Sequence, residues 1–288
     1  MQNQPSTIDL HLHTTASDGE LAPAQLVARA AEAGIQVLAV TDHDSTEGLC
    51  QARSACDELG LTLIDGVEIS SRWNSMDIHV VGLGIKPDDE RFQGHLRSQM
   101  ARREARARTI AARLDKLGYP GLYEKAAAIA PQHTPARPHF AQVLVEQGIC
   151  TDRKQAFQRY LAQAKPAYVK TDWPEVPEAV RWIREAGGVA VLAHPGRYKL
   201  TRTKLNHLVK DFAASGGQAL EVSVATHGPD VVQQLADLTL KFELYASQGS
   251  DYHGPSMRWV RLGSMPPLPS RCRPVSMLLE QRSQNLIR

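Results

Sequence analysis

Two histidines near the start of the chain have the spacing of metal ligands. His11 and His13 stand two residues apart in the apolar run 8–12, which predicts a β-strand. Side chains at i and i+2 of a strand point to the same face, so both imidazoles face one place. Asp18 follows in a turn that ends at Gly19. Imidazoles and carboxylates bind first-row metals, whereas the plainer interpretation of this pair alone is an edge strand with two half-exposed histidines.

The same residue types recur where further strands are expected to end. In a β/α barrel, the C-terminal ends of the strands form the face on which active sites assemble. His79 differs from the others, because it lies inside its predicted strand. The predicted metal ligands are His11, His13, Asp18, His43, Glu68, His79, His194, Asp251 and His253. Nine ligands exceed the needs of one ion, so the set predicts two or three ions that share bridging carboxylates.

Predicted strands and helices alternate along most of the chain, which favours parallel βα units. The strands are predicted at residues 7–11, 36–41, 61–69, 77–83, 189–193, 219–223 and 243–247. Between the fourth and fifth strands the pattern predicts helices only, a long one at 88–118 and shorter ones within 121–163. We therefore expect an α/β fold in which residues 1–87 and 166–288 form a seven-stranded β/α barrel, interrupted by an all-helical insertion at 88–165.

Composition excludes several classes of protein. With 42% hydrophobic and 22% charged residues the chain has a globular composition, and a net charge of +2 gives no overall attraction to nucleic acid or membranes. No apolar run approaches the roughly 20 residues of a membrane span, and residues 1–7 lack the features of an export signal. The four cysteines form no CxxC pair. We expect a cytoplasmic protein with no membrane and no obligate protein partner.

Arginines in the long helix of the insertion could bind phosphate. Arg102 and Arg106 are four residues apart and share a helix face, which Arg103 nearly shares. Arginine forks suit bidentate phosphate recognition, whereas the alternative is a solvated helix face. Further candidate substrate residues are Thr134, Arg137, Lys170 and Arg197. Because no RRM, KH or aromatic stacking signature is present, binding of long RNA has no direct support.

The order and types of these motifs resemble the PHP (polymerase and histidinol phosphatase) family. The motifs are Asp9-Leu10-His11-x-His13, Ser17-Asp18-Gly19, Thr41-Asp42-His43-Asp44, Gly66-Val67-Glu68, His79, Ala193-His194-Pro195 and Gly249-Ser250-Asp251-x-His253. The resemblance implies a distorted seven-stranded barrel with three divalent metal ions, with Mn²⁺ expected and Fe or Zn as alternatives. It implies three sets of ligands: His11, His13, Glu68 and Asp251 for one ion, Asp18, His43 and His253 for a second, and His79, His194 and bridging Glu68 for the third.

The helical insertion is similar to that of one subgroup, the nucleoside 3′,5′-bisphosphate phosphatases and the 5′-3′ exoribonucleases that trim short RNA. We expect a phosphatase that removes the 3′-phosphate of a nucleoside 3′,5′-bisphosphate with a metal-activated hydroxide. The alternatives are an exoribonuclease on short RNA, a histidinol-phosphate phosphatase, an amide hydrolase and a metal-dependent nucleotide sensor without turnover. Asp44 and His253 are both candidates for contacting the leaving oxygen, with no choice between them.

Overall fold

The computed structural model describes residues 6–130 and 133–286. The strands are β1 (Ile8–Leu12), β2 (Val37–Val40), β3 (Thr62–Trp73), β4 (Met76–Leu83), β5 (Val189–Leu192), β6 (Ala219–Val224) and β7 (Tyr245–Gly249). The helices are α1 (Pro23–Glu32), α2 (Leu49–Leu59), α3 (Glu90–Lys116), α4 (Leu122–Ile129), α5 (Arg137–Glu146), α6 (Arg153–Ala156), α7 (Val176–Glu185), α8 (Arg202–Ala214), α9 (Pro229–Lys241) and α10 (Val275–Leu286). A π-helical turn, Phe157–Leu161, follows α6, and a 3₁₀ turn, Pro195–Arg197, follows β5.

The strands form one sheet in chain order, from β1 to β7. Its two edges meet beyond the end of β7, where the backbone N–H of Asp251 donates to the carbonyl of His11 at 2.9 Å and that of His13 donates to Tyr252 at 3.0 Å. This closure confirms the predicted distorted seven-stranded barrel. It also brings the loop after β7 against the end of β1, so the first and last motifs of the chain become neighbours.

The parallel βα units expected from the alternation of strands and helices do not extend to β4. β3 continues to Trp73, and Asn74 and Ser75 both have positive φ, 48° and 66°, in a two-residue turn that leads straight into β4. Positive φ at both turn residues matches the right-handed twist of a β-hairpin. β4 therefore pairs antiparallel with both β3 and β5. Because β4 runs backwards, its N-terminal half, with His79, lies at the rim where the parallel strands end.

The long helix α3 joins the barrel to the insertion. The carboxylate of Asp89 caps it by accepting from the backbone N–H of Phe92 at 2.8 Å. Phe92 and Leu96 pack into the barrel's apolar cluster, whereas the second half of α3 packs into a separate cluster that spans Ala107 to Ala167. At 1.5 Å per residue the helix is roughly 40 Å long, so a single helix packs against both the barrel and the insertion. No helix in the described ranges is both long and apolar enough to cross a bilayer.

Candidate active site

The carboxylate of Glu68, from β3, lies at the centre of the rim and is fully buried. Its Oε1 is 3.0 Å from Nδ1 of His79 and 3.0 Å from Nε2 of His194, while its Oε2 is 2.9 Å from Nδ1 of His43. The same Oε2 is 3.4 Å from the Nε2 atoms of His11 and His13. One carboxylate thus contacts five histidines, which come from four different strands or the loops that follow them.

A second carboxylate, Asp251 after β7, faces the two histidines of β1. Its Oδ1 is 3.1 Å from Nε2 of His13 and 3.4 Å from Nε2 of His11. A third, Asp18, faces the outer side of the cluster. Its Oδ1 is 3.3 Å from Nε2 of His253 and 3.8 Å from Nε2 of His43. The structure therefore brings all nine predicted metal ligands to one face of the barrel.

The chemistry of this cluster fits divalent cations. Asp18 Oδ1, His43 Nδ1 and Glu68 Oε2 are buried and form no hydrogen bond in the described part of the chain. Buried polar atoms without partners are costly, which suits atoms whose partner is an ion. In three overlapping groups the ligand atoms all lie within 4.8 Å of one another; these are His13, Asp18, His43 and His253, then His11, His13 and Glu68, then His43, Glu68 and His79.

Burial and neighbouring charges shift the titration of this cluster. Burial lowers the pKa of His43 to about 4, which keeps its imidazole neutral. Burial also opposes protonation of His253, but the carboxylates of Asp18 and Asp251 outweigh it and raise that pKa to about 9. Burial alone would raise the pKa of Glu68, yet the surrounding imidazoles hold it well below its ordinary value. The carboxylates are thus ionised, as metal ligands must be.

The sequence analysis missed Glu221, which orients two of the histidines. This buried residue of β6 lies 2.8 Å from Nδ1 of His11 through Oε1, and its Oε2 accepts the backbone N–H of His194 at 2.6 Å. A carboxylate on Nδ1 fixes the ring so that Nε2 points into the cluster. Its signal in the sequence was a glutamate inside the apolar run 219–224, at the same rim.

Three residues of the rim have left-handed backbone conformations. Asp44, His194 and Asp251 have φ of 52°, 30° and 54°, which non-glycine residues rarely adopt. Each follows directly, or within four residues, the end of a strand. Such a strained backbone persists only where the surrounding structure enforces it. At these three positions the conformation directs the side chains to or beside the ligand cluster.

Asp44 is turned away from the cluster, although it directly follows His43. Its Oδ1 accepts from the backbone N–H of Ser70 at 2.8 Å and from Nε2 of Gln99 at 3.0 Å. Its Oδ2 accepts from Nε of Arg103 at 2.7 Å. Both oxygens therefore bind α3 and β3, and Gln99, a residue that sequence reasoning missed, completes this contact.

Several of the predicted phosphate-binding cations are engaged within the protein. Arg103 binds Asp44, and Arg102 donates to Oε1 of Gln99 at 2.8 Å. Arg197 donates to Oδ2 of Asp251, and thus holds a carboxylate of the cluster. These three arginines lie around the site, but their guanidinium groups already donate hydrogen bonds to acceptors within the protein.

Arg106 and Arg137 differ from the other arginines. Neither guanidinium has a hydrogen bond or ion pair with any described residue. Arg106 is only 8% exposed, and its guanidinium lies 5.0 Å from the ring centroid of the buried Trp173. Burial, with Arg103 and Arg137 nearby, lowers the pKa of Arg106 to about 9. Arg106 and Arg137 are two neighbouring cations with no acceptor among the described residues, an arrangement that suits an anion.

The two remaining candidates are placed less specifically. Thr134 donates to Oε2 of Glu104 at 3.2 Å, and Lys170 is exposed. The loop that carries Thr134 also covers the outer side of the cluster, because Nε2 of His133 contacts the carbonyl oxygen of Thr15 and the loop lines a small pocket with Asp18. The insertion thus reaches the rim through α3 and through this loop.

Comparison with known proteins identifies relatives that match nearly the whole chain. The family model described as PHP domain matches residues 9–186. A 3′,5′-nucleoside bisphosphate phosphatase of Chromobacterium violaceum is 40% identical over 96% of this chain and 98% of its own length. The 5′-3′ exoribonuclease Rnm of Escherichia coli K12 is 44% identical over 95% of this chain and 94% of its own.

A solved structure shares the whole architecture. It comes from Chromobacterium violaceum, is described as an amidohydrolase with bound sulfate and no metal, and superposes with a TM-score of 0.91 at 40% identity over 96% of this chain and 97% of the other. Strand order and insertion are therefore those of a known group of proteins rather than peculiar to this chain.

Proposed function

The chain belongs to the PHP domain family and is a hydrolase of phosphoric esters, and we propose that it removes the 3′-phosphate from nucleoside 3′,5′-bisphosphates. The observation that carries this choice is the buried Arg106, whose guanidinium has no acceptor among the described residues and lies near Arg103, the partner of the rim residue Asp44. A substrate with two phosphates needs a second anion site besides the metals, and Arg106 with Arg137 supplies two cations there. The chain's likeness to the bisphosphate phosphatase over nearly its full length supports the same assignment.

We propose three divalent metal ions, Mn²⁺ with Fe or Zn as alternatives, held by the nine clustered side chains. The three overlapping ligand groups support this number, and Glu68 Oε2, which forms no hydrogen bond with any described residue, is a candidate bridging atom. Such ions, when bound, lower the pKa of a coordinated water towards neutrality and neutralise the charge of the phosphate.

The protein's own groups position both partners of the reaction. Glu221 fixes His11, and Arg197 fixes Asp251, so the ligand atoms are set before substrate arrives. We assign Asp44 to positioning, since both of its oxygens accept hydrogen bonds from the protein. His253 is 21% exposed at its side chain and lines a cleft that opens outwards, so it is the better candidate for the side of the leaving oxygen.

The helical insertion, residues 88–165, acts in this proposal as the substrate cap. α3 presents Arg106 over Trp173, and the loop with Thr134 covers Asp18. Residues 131 and 132 of this segment lie outside the described residues. A nucleotide between cap and barrel would place one phosphate at the guanidinium groups and the other at the metals. We expect this activity in the cytoplasm, with no protein partner required.

The experiment is a substrate comparison with Mn²⁺-loaded protein. Adenosine 3′,5′-bisphosphate, AMP, histidinol phosphate and a short 5′-phosphorylated RNA are incubated separately, and phosphate and nucleotide release are measured. Preferred release of phosphate from the bisphosphate, leaving AMP, is expected. Preference for histidinol phosphate would overturn the substrate, and absence of turnover with all four would favour the nucleotide sensor.

One alternative has its own support. The relative of Escherichia coli that is 44% identical is an exoribonuclease, and release of mononucleotides from the RNA would make that the main activity. Hydrolysis of an amide at the same metals has less support, because an amide substrate makes no use of Arg106 and Arg137.

A further inference from the structure

The loop that follows β7 carries the most exposed of the large hydrophobic side chains in the described ranges. Trp259 is 71% exposed, six residues after the proposed metal ligand His253. An aromatic side chain of this size contributes substantially to stability when it is buried, and that contribution is absent here. Its exposure is better explained by a ligand than by folding.

This exposure does not come from a loosely held loop. Val260 and Leu262 are 3% and 9% exposed and pack into a second apolar cluster of the barrel, formed with β1, β2, α1 and α2. The backbone N–H of Ser256 donates to Oε2 of Glu20 at 3.0 Å, and that of Gly263 donates to the buried Asp9 at 3.2 Å. The loop is therefore tied at both ends.

Trp259 lies on the wall of a cleft that begins at the catalytic rim. The cleft has a volume of about 730 Å³; Asp18 and His253 line it at the rim, and Phe157 and Trp259 line it further out. Phe157 opens the π-helical turn, an irregularity that frequently marks functional sites. The cleft therefore holds two aromatic rings together with two of the proposed metal ligands.

A second cleft, of about 860 Å³, lies on the other side of the same loop, and Met257 lines both. It contains Arg29, Arg258 and Arg261, against the single carboxylate of Glu32. The guanidinium groups of Arg258 and Arg261 have no partner in the part of the chain that the structure describes. Aromatic rings followed by unpaired arginines match the alternating bases and phosphates of a single strand.

The proposed substrate is chemically related to the 5′ end of an RNA strand. A nucleoside 3′,5′-bisphosphate is the first nucleotide of a 5′-phosphorylated RNA, with the strand missing beyond the 3′-phosphate. In both compounds water adds to the same phosphorus, the bond from that phosphorus to O3′ breaks, and O3′ leaves with a proton. Only the RNA continues beyond the phosphorus, and it needs a surface on which to lie.

We propose that the β7-loop track, defined as Phe157, Met257, Arg258, Trp259 and Arg261, binds the second and following nucleotides of a single-stranded RNA. The base of the second nucleotide stacks on Trp259, and the next phosphates lie at Arg258 and Arg261. This rests on the proposed function, since the first nucleotide occupies the same site as the bisphosphate. Apart from Phe157, this track lies on the barrel and not on the insertion, where Arg102 and Arg103 are engaged internally.

The test compares two substrates in three variants of the full, Mn²⁺-loaded chain. Trp259→Ala removes the stacking ring, and the double variant Arg258→Gln with Arg261→Gln removes the cations. The charge-matched control is Arg181→Gln with Lys210→Gln, two exposed cations on α7 and α8. We measure kcat/KM for a 5′-phosphorylated RNA pentamer and for adenosine 3′,5′-bisphosphate. The ratio of the two is expected to fall about tenfold in each track variant and to stay constant in the control.

A binding measurement keeps the inference separate from the proposed function. Fluorescence anisotropy gives the Kd of a labelled pentamer with hydrolysis-resistant phosphorothioate linkages, and Kd should rise about tenfold in Trp259→Ala but less in Trp259→Phe. If wild type hydrolyses the bisphosphate but the variants leave both the RNA ratio and the Kd unchanged, the track is overturned and the phosphatase stands. If wild type hydrolyses neither substrate, the proposed function fails, and the Kd values alone decide the track.

Discussion

Arg103 of α3 binds the carboxylate of Asp44 through two guanidinium nitrogens, Nε at 2.7 Å and Nη2 at 2.6 Å, and both residues are buried. The same Nη2 donates to Oγ of Ser70 at 2.7 Å. This pair therefore joins the insertion to the residue that follows His43. It makes the position of α3 depend on the same loop that supplies a proposed metal ligand.

Asp44→Asn should lower the free energy of unfolding at pH 7 by about 3 kcal/mol, because the buried guanidinium loses its counterion. Chemical denaturation measures this directly. The matched control is Asp172→Asn, which breaks an aspartate–arginine pair with Arg72 in which the aspartate side chain is 91% exposed. That change should cost less than about 1 kcal/mol. Equal losses in both variants would contradict the importance of the buried pair.

The effect of Asp44→Asn should also depend on pH. Burial alone would raise the pKa of Asp44, but Arg103 and the hydrogen bonds lower it below its ordinary value. A depressed pKa contributes stability that is present above the unfolded-state pKa and is lost as the pH falls through the folded-state pKa. The difference between wild type and variant should therefore be constant from neutral pH down to about 5 and shrink below about 4.

Gly249→Ala should destabilise the closure of the barrel. A Cβ at this position would lie 2.3 Å from Cβ of His11 and 2.8 Å from its backbone nitrogen, so β1 and β7 would have to separate. Overpacking of this kind costs about 1–3 kcal/mol or more. Thermal unfolding of this variant is compared with that of Gly228→Ala, where the added Cβ meets nothing within 4 Å. A melting temperature as high as that of the control would show that β1 and β7 do not pack tightly at Gly249.

Glu221→Gln should weaken metal binding without removing a proposed ligand. The neutral amide stabilises the required orientation of His11 less than the carboxylate does, and such changes typically cost 10- to 100-fold in affinity. After chelation, the Mn²⁺ concentration that restores the melting temperature should rise by that factor. Glu185→Gln, at the surface on α7, serves as the control and should titrate like wild type. If Glu221→Gln needs the same Mn²⁺ concentration as wild type, Glu221 does not contribute to metal binding.

Arg106→Gln should reduce selectivity for the second phosphate. Loss of a charge-assisted hydrogen bond costs about 1.5–3 kcal/mol, or about 10- to 100-fold. The ratio of kcat/KM for adenosine 3′,5′-bisphosphate to kcat/KM for 3′-AMP, which lacks the 5′-phosphate, is expected to fall by this factor. Arg108→Gln is the control, since that side chain is 67% exposed and pairs with Glu104. Equal losses on both substrates would assign Arg106 a structural role instead.

The sequence by itself determined the strand positions, the helical character of the insertion and the identity of the clustered ligands. Apolar runs fix where parallel strands lie, and a polar residue at the end of such a run must lie at the rim. The group from Asp251 to His253 could therefore be placed on the same rim as His11 and His13 without coordinates. The structure confirms the fold and brings these residues together, while their binding of metal stays a prediction.

Only the tertiary structure decided the direction of β4 and the partners of the charged side chains. The turn at Asn74 and Ser75 reverses the chain, and hydrophobic periodicity carries no information about strand direction. Arg102, Arg103 and Arg106 have the same chemistry and nearly the same helix face, yet of the three only Arg106 has no acceptor within residues 6–130 and 133–286. Their partners come from residues tens of positions away, such as Asp44, so pairing is a property of the packed chain and not of local spacing.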